Sequence, residues 1–224
     1  MRAVLLDLDG TLTDSAPGIL SSYGAVLRAM GHVPDPGFDM RFVIGPALGD
    51  VMGEVLAHYG DDRVEQAVTA YRAHYAAGAL FEATVYDGIV PMLDALASEA
   101  RLFLATAKRV DLARLLLERF GLVDRFAGIH GSVPGGALDH KPELIADILT
   151  REGVAASEAV MVGDRRYDIT GAHANGMRAI GVLWGYGSRA ELEQAGADAL
   201  AETPEALLGL LSRGSGAAGG GRLL

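Results

Sequence analysis

The chain has 224 residues, half of them apolar and 21% charged, so most of it is expected to fold, as one domain or as a domain carrying an insertion. A formal net charge of −10 argues against nucleic acid or an anionic membrane as the main partner, because both need clustered positive charge. Cysteine is absent, which excludes disulfides, thiolate zinc sites and cysteine nucleophiles.

The opening "MRAVLLDLDG" holds an apolar run too short for a signal peptide or a membrane span and is broken by acids, so a cytoplasmic protein is expected. Its "AVLLDL" (3–8) reads as a buried strand that ends on Asp7 and Asp9. Residues two apart in an extended segment point the same way, so both carboxylates face one site. Gly10 then permits a sharp turn, Thr11 and Thr13 offer hydroxyls and caps, and Asp14 belongs to the turn that follows. Residues 16–81 read as helical, with apolar stripes at Ile19–Met30, Val51–Leu56 and Val64–Tyr75, and no strand is expected among them. The Pro/Gly-punctuated stretch 31–49 connects the first two of these helices.

From residue 89 onward, short apolar runs alternate with helical patterns. Helices are expected over 89–99, 110–120 and 143–152, and strands over 101–106, 159–164, 179–184 and 197–202. Such alternation predicts an α/β fold with a doubly wound parallel sheet covered on both faces, and ligands bind such sheets at the carboxyl ends of the strands. The second strand ends in Thr106 and the Ala107 amide, a hydroxyl beside an N–H, which makes a small anion cradle. "LDHKPELI" sets Lys141 just before a helix-starting proline. The third strand ends in Gly163-Asp164, with Asp168 about one helical turn further on. The Gly/Ala-rich tail, 213–224, is expected to be disordered, and no internal repeat is present.

Four acids on one sheet edge repel unless a cation sits among them. An oxygen-only ligand set without His or Cys favours a hard ion, Mg²⁺ where phosphate supplies further oxygens. Carboxylates, a lysine, a hydroxyl/amide cradle and a metal together suit phosphoryl transfer, in which positioning and charge stabilisation carry most of the catalysis.

In order, "DLDGTLTDS", "ATAK", "HKPE" and "GDRRYDI" resemble the four motifs of the haloacid dehalogenase superfamily of phosphohydrolases, over about residues 1–212. "VYDGI" (85–89), "GDRRYDITGA" (163–172) and "WGYGS" (184–188) resemble its phosphoglycolate-phosphatase and 5'-nucleotidase-like members. The resemblance implies a Rossmann-like core from 1–15 and 82–212 and an inserted all-helical cap of the C1 type from 16–81. It implies Mg²⁺-dependent hydrolysis of a small phosphorylated metabolite, such as phosphoglycolate or a nucleoside monophosphate. Asp7 would attack phosphorus, Asp9 would shuttle the proton, Thr106 and Ala107 would bind the phosphoryl group and Lys141 would offset charge. The metal would be held by the Asp7 carboxylate, the Asp9 carbonyl and Asp164, with Asp168 in direct or outer contact. Ala107 stands where relatives often carry Ser or Asn, which removes a side-chain contact and keeps the amide.

Other residues carry weaker signals. Arg41, Phe42 and Gly45 lie in the cap connection and read slightly better as surface and packing positions. Lys108 and Arg109 read as a solvated helix start at least as readily as substrate contacts. His140, Trp184 and Tyr186 read as structural, and Arg165 and Arg166 receive no role. A sugar phosphomutase of the β-phosphoglucomutase type, a dehalogenase and a non-catalytic binding protein are the competing readings. Isomerisation without phosphate release, chelator-resistant activity and inertness, respectively, would mark them.

Overall fold

The structure, a computed structural model, describes residues 2–213; the expected tail beyond Arg213 lies outside the described residues. The chain forms strands β1 (Ala3–Leu6) and β2 (Thr13–Asp14), then helices α1 (Ala16–Ala29), α2 (Leu48–His58) and α3 (Val64–Ala77). After β3 (Thr84–Val85) it continues through α4 (Ile89–Ala97), β4 (Arg101–Arg109), α5 (Val110–Arg119), β5 (Gly128–Ser132) and α6 (Lys141–Glu152). The last third comprises β6 (Ala159–Gly163), α7 (Arg166–Ala174), β7 (Arg178–Val182), α8 (Arg189–Gln194), β8 (Ala199–Ala201) and α9 (Pro204–Arg213).

Six strands form one parallel sheet in the order β5-β4-β1-β6-β7-β8. The pleat sends alternate residues to opposite faces, and both faces are covered. On one side Val4, Leu6, Leu104 and Val162 pack against Leu93 of α4, Leu116 of α5 and Leu207 of α9. On the other, Leu5, Phe103 and Met161 pack against Ile145 of α6, Ile169 of α7 and Leu192 of α8. The strand order reverses at β1, where β4 lies on one side and β6 on the other, so a crevice opens at its carboxyl end.

Residues 16–81 contribute α1, α2, α3 and short 3₁₀ turns, with no strand among them. Tyr23, Val55, Leu56 and Tyr71 of these helices are buried and continuous with the apolar layer on the β1 face that holds Leu6. The chain leaves and re-enters the sheet layer through a two-stranded antiparallel ribbon, Thr13 opposite Val85 and Asp14 opposite Thr84. Sequence periodicity misses this ribbon, which is too short to carry a pattern. It also misses β5, "GIHGS", whose glycines and histidine lack an apolar run and which forms because β4 offers a free edge.

Candidate functional site

β1 aims its last residues into the crevice. Leu6 pairs with Leu104 on one side and Val162 on the other, and the Asp7 amide donates to the Val162 carbonyl at 3.0 Å. The chain then turns tightly, with the amides of Thr11, Leu12 and Thr13 all directed at the Leu8 carbonyl. Gly10 sits at φ +91° in this turn, and a Cβ there would collide with the Asp164 carboxylate. Gly10→Ala therefore combines a strained backbone with a clash. It should cost about 3 kcal/mol and lower Tm by roughly 6–12 °C in a melting curve, with loss of activity.

Lys141, the first residue of α6, reaches beneath Asp7. Its Nζ lies 2.8 Å from Asp7 Oδ1 and 2.6 Å from Asp168 Oδ1, and it donates to the Ala105 carbonyl at 2.6 Å. Asp168 gives its other oxygen to the Arg165 amide at 3.1 Å, which fixes the start of α7. Asp164 is fully buried, and its Oδ2 accepts from the Tyr186 amide at 2.7 Å. Its Oδ1 has no hydrogen-bond partner.

Oxygens of Asp7, Asp164 and Asp168 all lie within 4.8 Å of one another. Burial pushes the Asp7 carboxyl up to about 7, with Lys141 pulling it back and Asp168 and Asp9 adding repulsion. Burial, then repulsion from Asp168 and Asp7, also holds the Asp164 carboxyl well above the usual range. Lys141 stays charged, because burial that would deprotonate it is outweighed by Asp168 and Asp7. One lysine faces three buried carboxyls that can ionise together only if further positive charge joins them, and Asp164 Oδ1 is an orphan acceptor. A hard cation with oxygen ligands fits both facts.

Thr106 is buried beside this group, and its hydroxyl accepts from the Lys108 amide at 3.2 Å. Asp7, Asp9, Thr106 and Ala107 line one cavity together with Ile19, Tyr23, Val43, Gly45, Tyr71 and Tyr75 of the 16–81 segment. The structure therefore brings Asp7, Thr106, Lys141, Asp164 and Asp168 to one place. The Asp9 carboxylate lies apart from the acidic triad and pairs instead with Lys108 at 2.7 Å.

Lys108 departs from the solvated helix start read from sequence. β4 continues to Arg109, and its side chain is buried between Asp9 and the Tyr75 hydroxyl. Burial opposes its charge, yet Asp9 and Tyr75 hold the ammonium above the ordinary lysine range. Arg41 bonds Asp39 on the surface, Phe42 packs near Phe38, and Gly45 lines the cavity. Arg109 pairs with Asp111, and His140 lies 3.7 Å from Asp50 on the surface. Arg165 is buried, pairs with Glu191 and donates to the Ile44 carbonyl, which ties the loop after β6 to the connection before α2.

Tyr186, read from sequence as structural, holds two parts of the site together. Its amide holds Asp164, and its hydroxyl accepts from the Ser15 and Ala16 amides at 2.7 and 3.0 Å and donates to Asp14 at 2.8 Å. It thus caps α1 from a distant loop, where Ser15 provides no side-chain cap. Trp184 in the same loop donates to the Thr11 carbonyl at 2.9 Å. Tyr186→Phe strips the cap and keeps the amide on Asp164. It should lower stability by about 1–3 kcal/mol in denaturant unfolding, with residual activity.

The family model described as haloacid dehalogenase-like hydrolase matches residues 4–182. The chain is 39% identical over 193 residues to a 5'-nucleotidase of Pseudomonas aeruginosa, covering 84% of this chain and 86% of that protein. It is 39% identical over 188 residues to the tyrosine-protein kinase PtkA of Mycobacterium tuberculosis, 83% of this chain but 63% of the kinase's length. A phosphoglycolate phosphatase of Rhodospirillum rubrum is 34% identical over 194 residues, 83% of this chain and 80% of its own. Among solved structures, a predicted phosphatase from Clostridium acetobutylicum superposes with a TM-score of 0.89 at 34% identity, over 95% of this chain and 98% of that one.

Proposed function

The chain belongs to the haloacid dehalogenase-like hydrolases, and from that premise we propose that it is a phosphatase acting on a small phosphomonoester through a phospho-aspartate on Asp7. The observation that carries this reading is the convergence of Asp7, Thr106, Lys141 and Asp164, from four separate stretches of sequence, at the carboxyl end of β1 and its two neighbours. Relatives named for phosphatase and nucleotidase activity across most of this chain's length support it.

Asp7 attacks phosphorus, so a carboxylate–phosphorus bond forms as the ester bond breaks. Asp9 gives its proton to the departing ester oxygen. Water then attacks the phospho-aspartate while Asp9 takes its proton back, and inorganic phosphate leaves as Asp7 is freed. Thr106 and the Ala107 amide hold the phosphoryl oxygens, and Lys141 offsets charge on Asp7. Asp7 and Asp164, with the Asp9 carbonyl and with Asp168 in direct or outer contact, would hold Mg²⁺, which supplies charge neutralisation for the phosphoryl group. Asp168 spends its oxygens on Lys141 and the start of α7, which favours the outer position. The 16–81 helices act as a cap that closes the cavity, excludes water and selects the leaving group.

The kinase-named relative and the mutase alternative raise a second acceptor, a hydroxyl in place of water, served by the same residues. A phosphate-release panel of phosphoglycolate, nucleoside 5'-monophosphates, glycerol phosphate and sugar phosphates with Mg²⁺ separates them. Stoichiometric inorganic phosphate supports hydrolysis, and ester consumption without it supports transfer. Activity that survives chelation counts against the metal.

A further inference from the structure

Lys108 is a buried cation in the site to which the chemistry above gives no task. Its side chain is 6% exposed, and lysine is rarely buried unless paired. The pairing is double: Nζ lies 2.7 Å from Asp9 Oδ1 and donates to the Tyr75 hydroxyl at 2.7 Å.

The backbone is irregular where β4 carries it. β4 follows β5 in register up to Thr106 opposite Gly131, but the next pair is Arg109 opposite Ser132, so Ala107 and Lys108 are looped out of the ladder. Gly131 makes the bulge possible, because a Cβ at that position would lie 2.5 Å from the Lys108 carbonyl oxygen.

Tyr75 belongs to α3 and is itself braced. Its ring stacks on Tyr71 at 5.5 Å, and Tyr71 packs on Tyr23 of α1 at 4.9 Å. The three tyrosines form a wall of the cavity that joins two helices of the 16–81 segment to one ammonium.

We propose that Lys108 is a positioning residue: it holds the Asp9 carboxylate in the orientation for proton transfer, and Tyr75 sets Lys108, so that the seating of α1 and α3 is read out at Asp9. The inference rests on the phospho-aspartate reading above. A salt-bridged, hydrogen-bonded ammonium removes rotamer freedom from the carboxylate, and small misplacements of a catalytic group cost on the order of 10²-fold in rate. The cap residues therefore select for productive geometry without touching the phosphoryl group.

The test uses the full-length chain with Mg²⁺ and compares Lys108→Met, Lys108→Arg and Tyr75→Phe. Probes are p-nitrophenyl phosphate, whose leaving group departs unprotonated, and whichever of phosphoglycolate, a nucleoside 5'-monophosphate or glycerol phosphate turns over fastest, whose alkoxide requires a proton. Lys108→Met should lower the single-turnover rate of ester cleavage on the alkyl ester by about 30-fold or more, and much less on the aryl ester, with KM changed by less than about threefold. Lys108→Arg should recover part of the rate. Tyr75→Phe should reproduce the same split at smaller size, roughly fivefold.

A raised KM with intact kcat would make Lys108 a substrate anchor and overturn the proposal. Equal losses on both esters, or wild-type kinetics for Tyr75→Phe, would overturn it as well. If Lys108→Met does not fold, the other two variants decide. An active Asp7→Asn variant would instead defeat the phospho-aspartate reading, whereas an inactive one beside normal Lys108 and Tyr75 variants defeats only this inference.

Discussion

Asp7→Asn is expected to abolish turnover, by on the order of 10⁴-fold or more, while the protein stays folded. The amide occupies nearly the same volume, and Lys141 keeps its ion pair with Asp168 at 2.6 Å and its bond to the Ala105 carbonyl. What disappears is the carboxylate proposed as nucleophile, so no phosphoryl adduct should accumulate on the protein. Asp9→Asn gives the useful contrast. It slows both half-reactions, yet an activated ester should still load Asp7, and the loaded form should persist because no base draws the proton from water. Full activity in Asp7→Asn, measured as phosphate release with Mg²⁺, would end the assignment of Asp7 as nucleophile.

The second large effect concerns the metal-free protein. The Asp7 carboxyl titrates near 7 in the fold and at 3.8 unfolded. The folded state therefore binds the proton more tightly, and stability contributed by the protonated form is lost as pH rises from about 4 through about 7. Asp164, shifted in the same direction, adds to this loss. A chelated sample should melt at progressively lower temperature across this interval. Millimolar Mg²⁺ should restore Tm, by little at the acid end and by most near neutrality, because carboxylates must be ionised to ligate. Asp164→Asn should flatten both the pH slope and the Mg²⁺ response. A Mg²⁺ shift that is absent at neutral pH, or equal at all pH values, would remove the metal from this cluster.

How much of this was legible in the sequence depends on whether a residue's surroundings are local. Asp7, Asp9 and Thr106 stand at strand ends marked by apolar runs, and Lys141 stands at a proline-marked helix start, so pattern and chemistry point to them directly. The sheet follows from the same runs, and the interruption at 16–81 from its change of period. Lys108 was misjudged because its burial depends on Asp9 and on Tyr75 of α3, which lie 99 and 33 positions away in the chain. Tyr186 reads as structural from its loop, but the two tasks it performs are not legible there. Its amide and hydroxyl serve partners about 20 and 170 positions away, and nothing near it in the chain announces either task. The Asp9–Lys108 pair could not be anticipated without knowing that α3 returns a tyrosine to the sheet edge.

The place of β1 also constrains the order of events during synthesis. β1 precedes both of its neighbours, which lie at 101–109 and 159–163, and the amide that holds Asp164 comes from residue 186. At about 5–20 residues per second Asp7 is made roughly 10–40 s before that amide. Until β4 is made, Val4, Leu5 and Leu6 have no strand to pair with, and the nascent chain exposes an apolar segment. The site is therefore a late assembly, and a chain truncated between β4 and β6 carries Asp7 without Asp164, Asp168 or the Tyr186 amide.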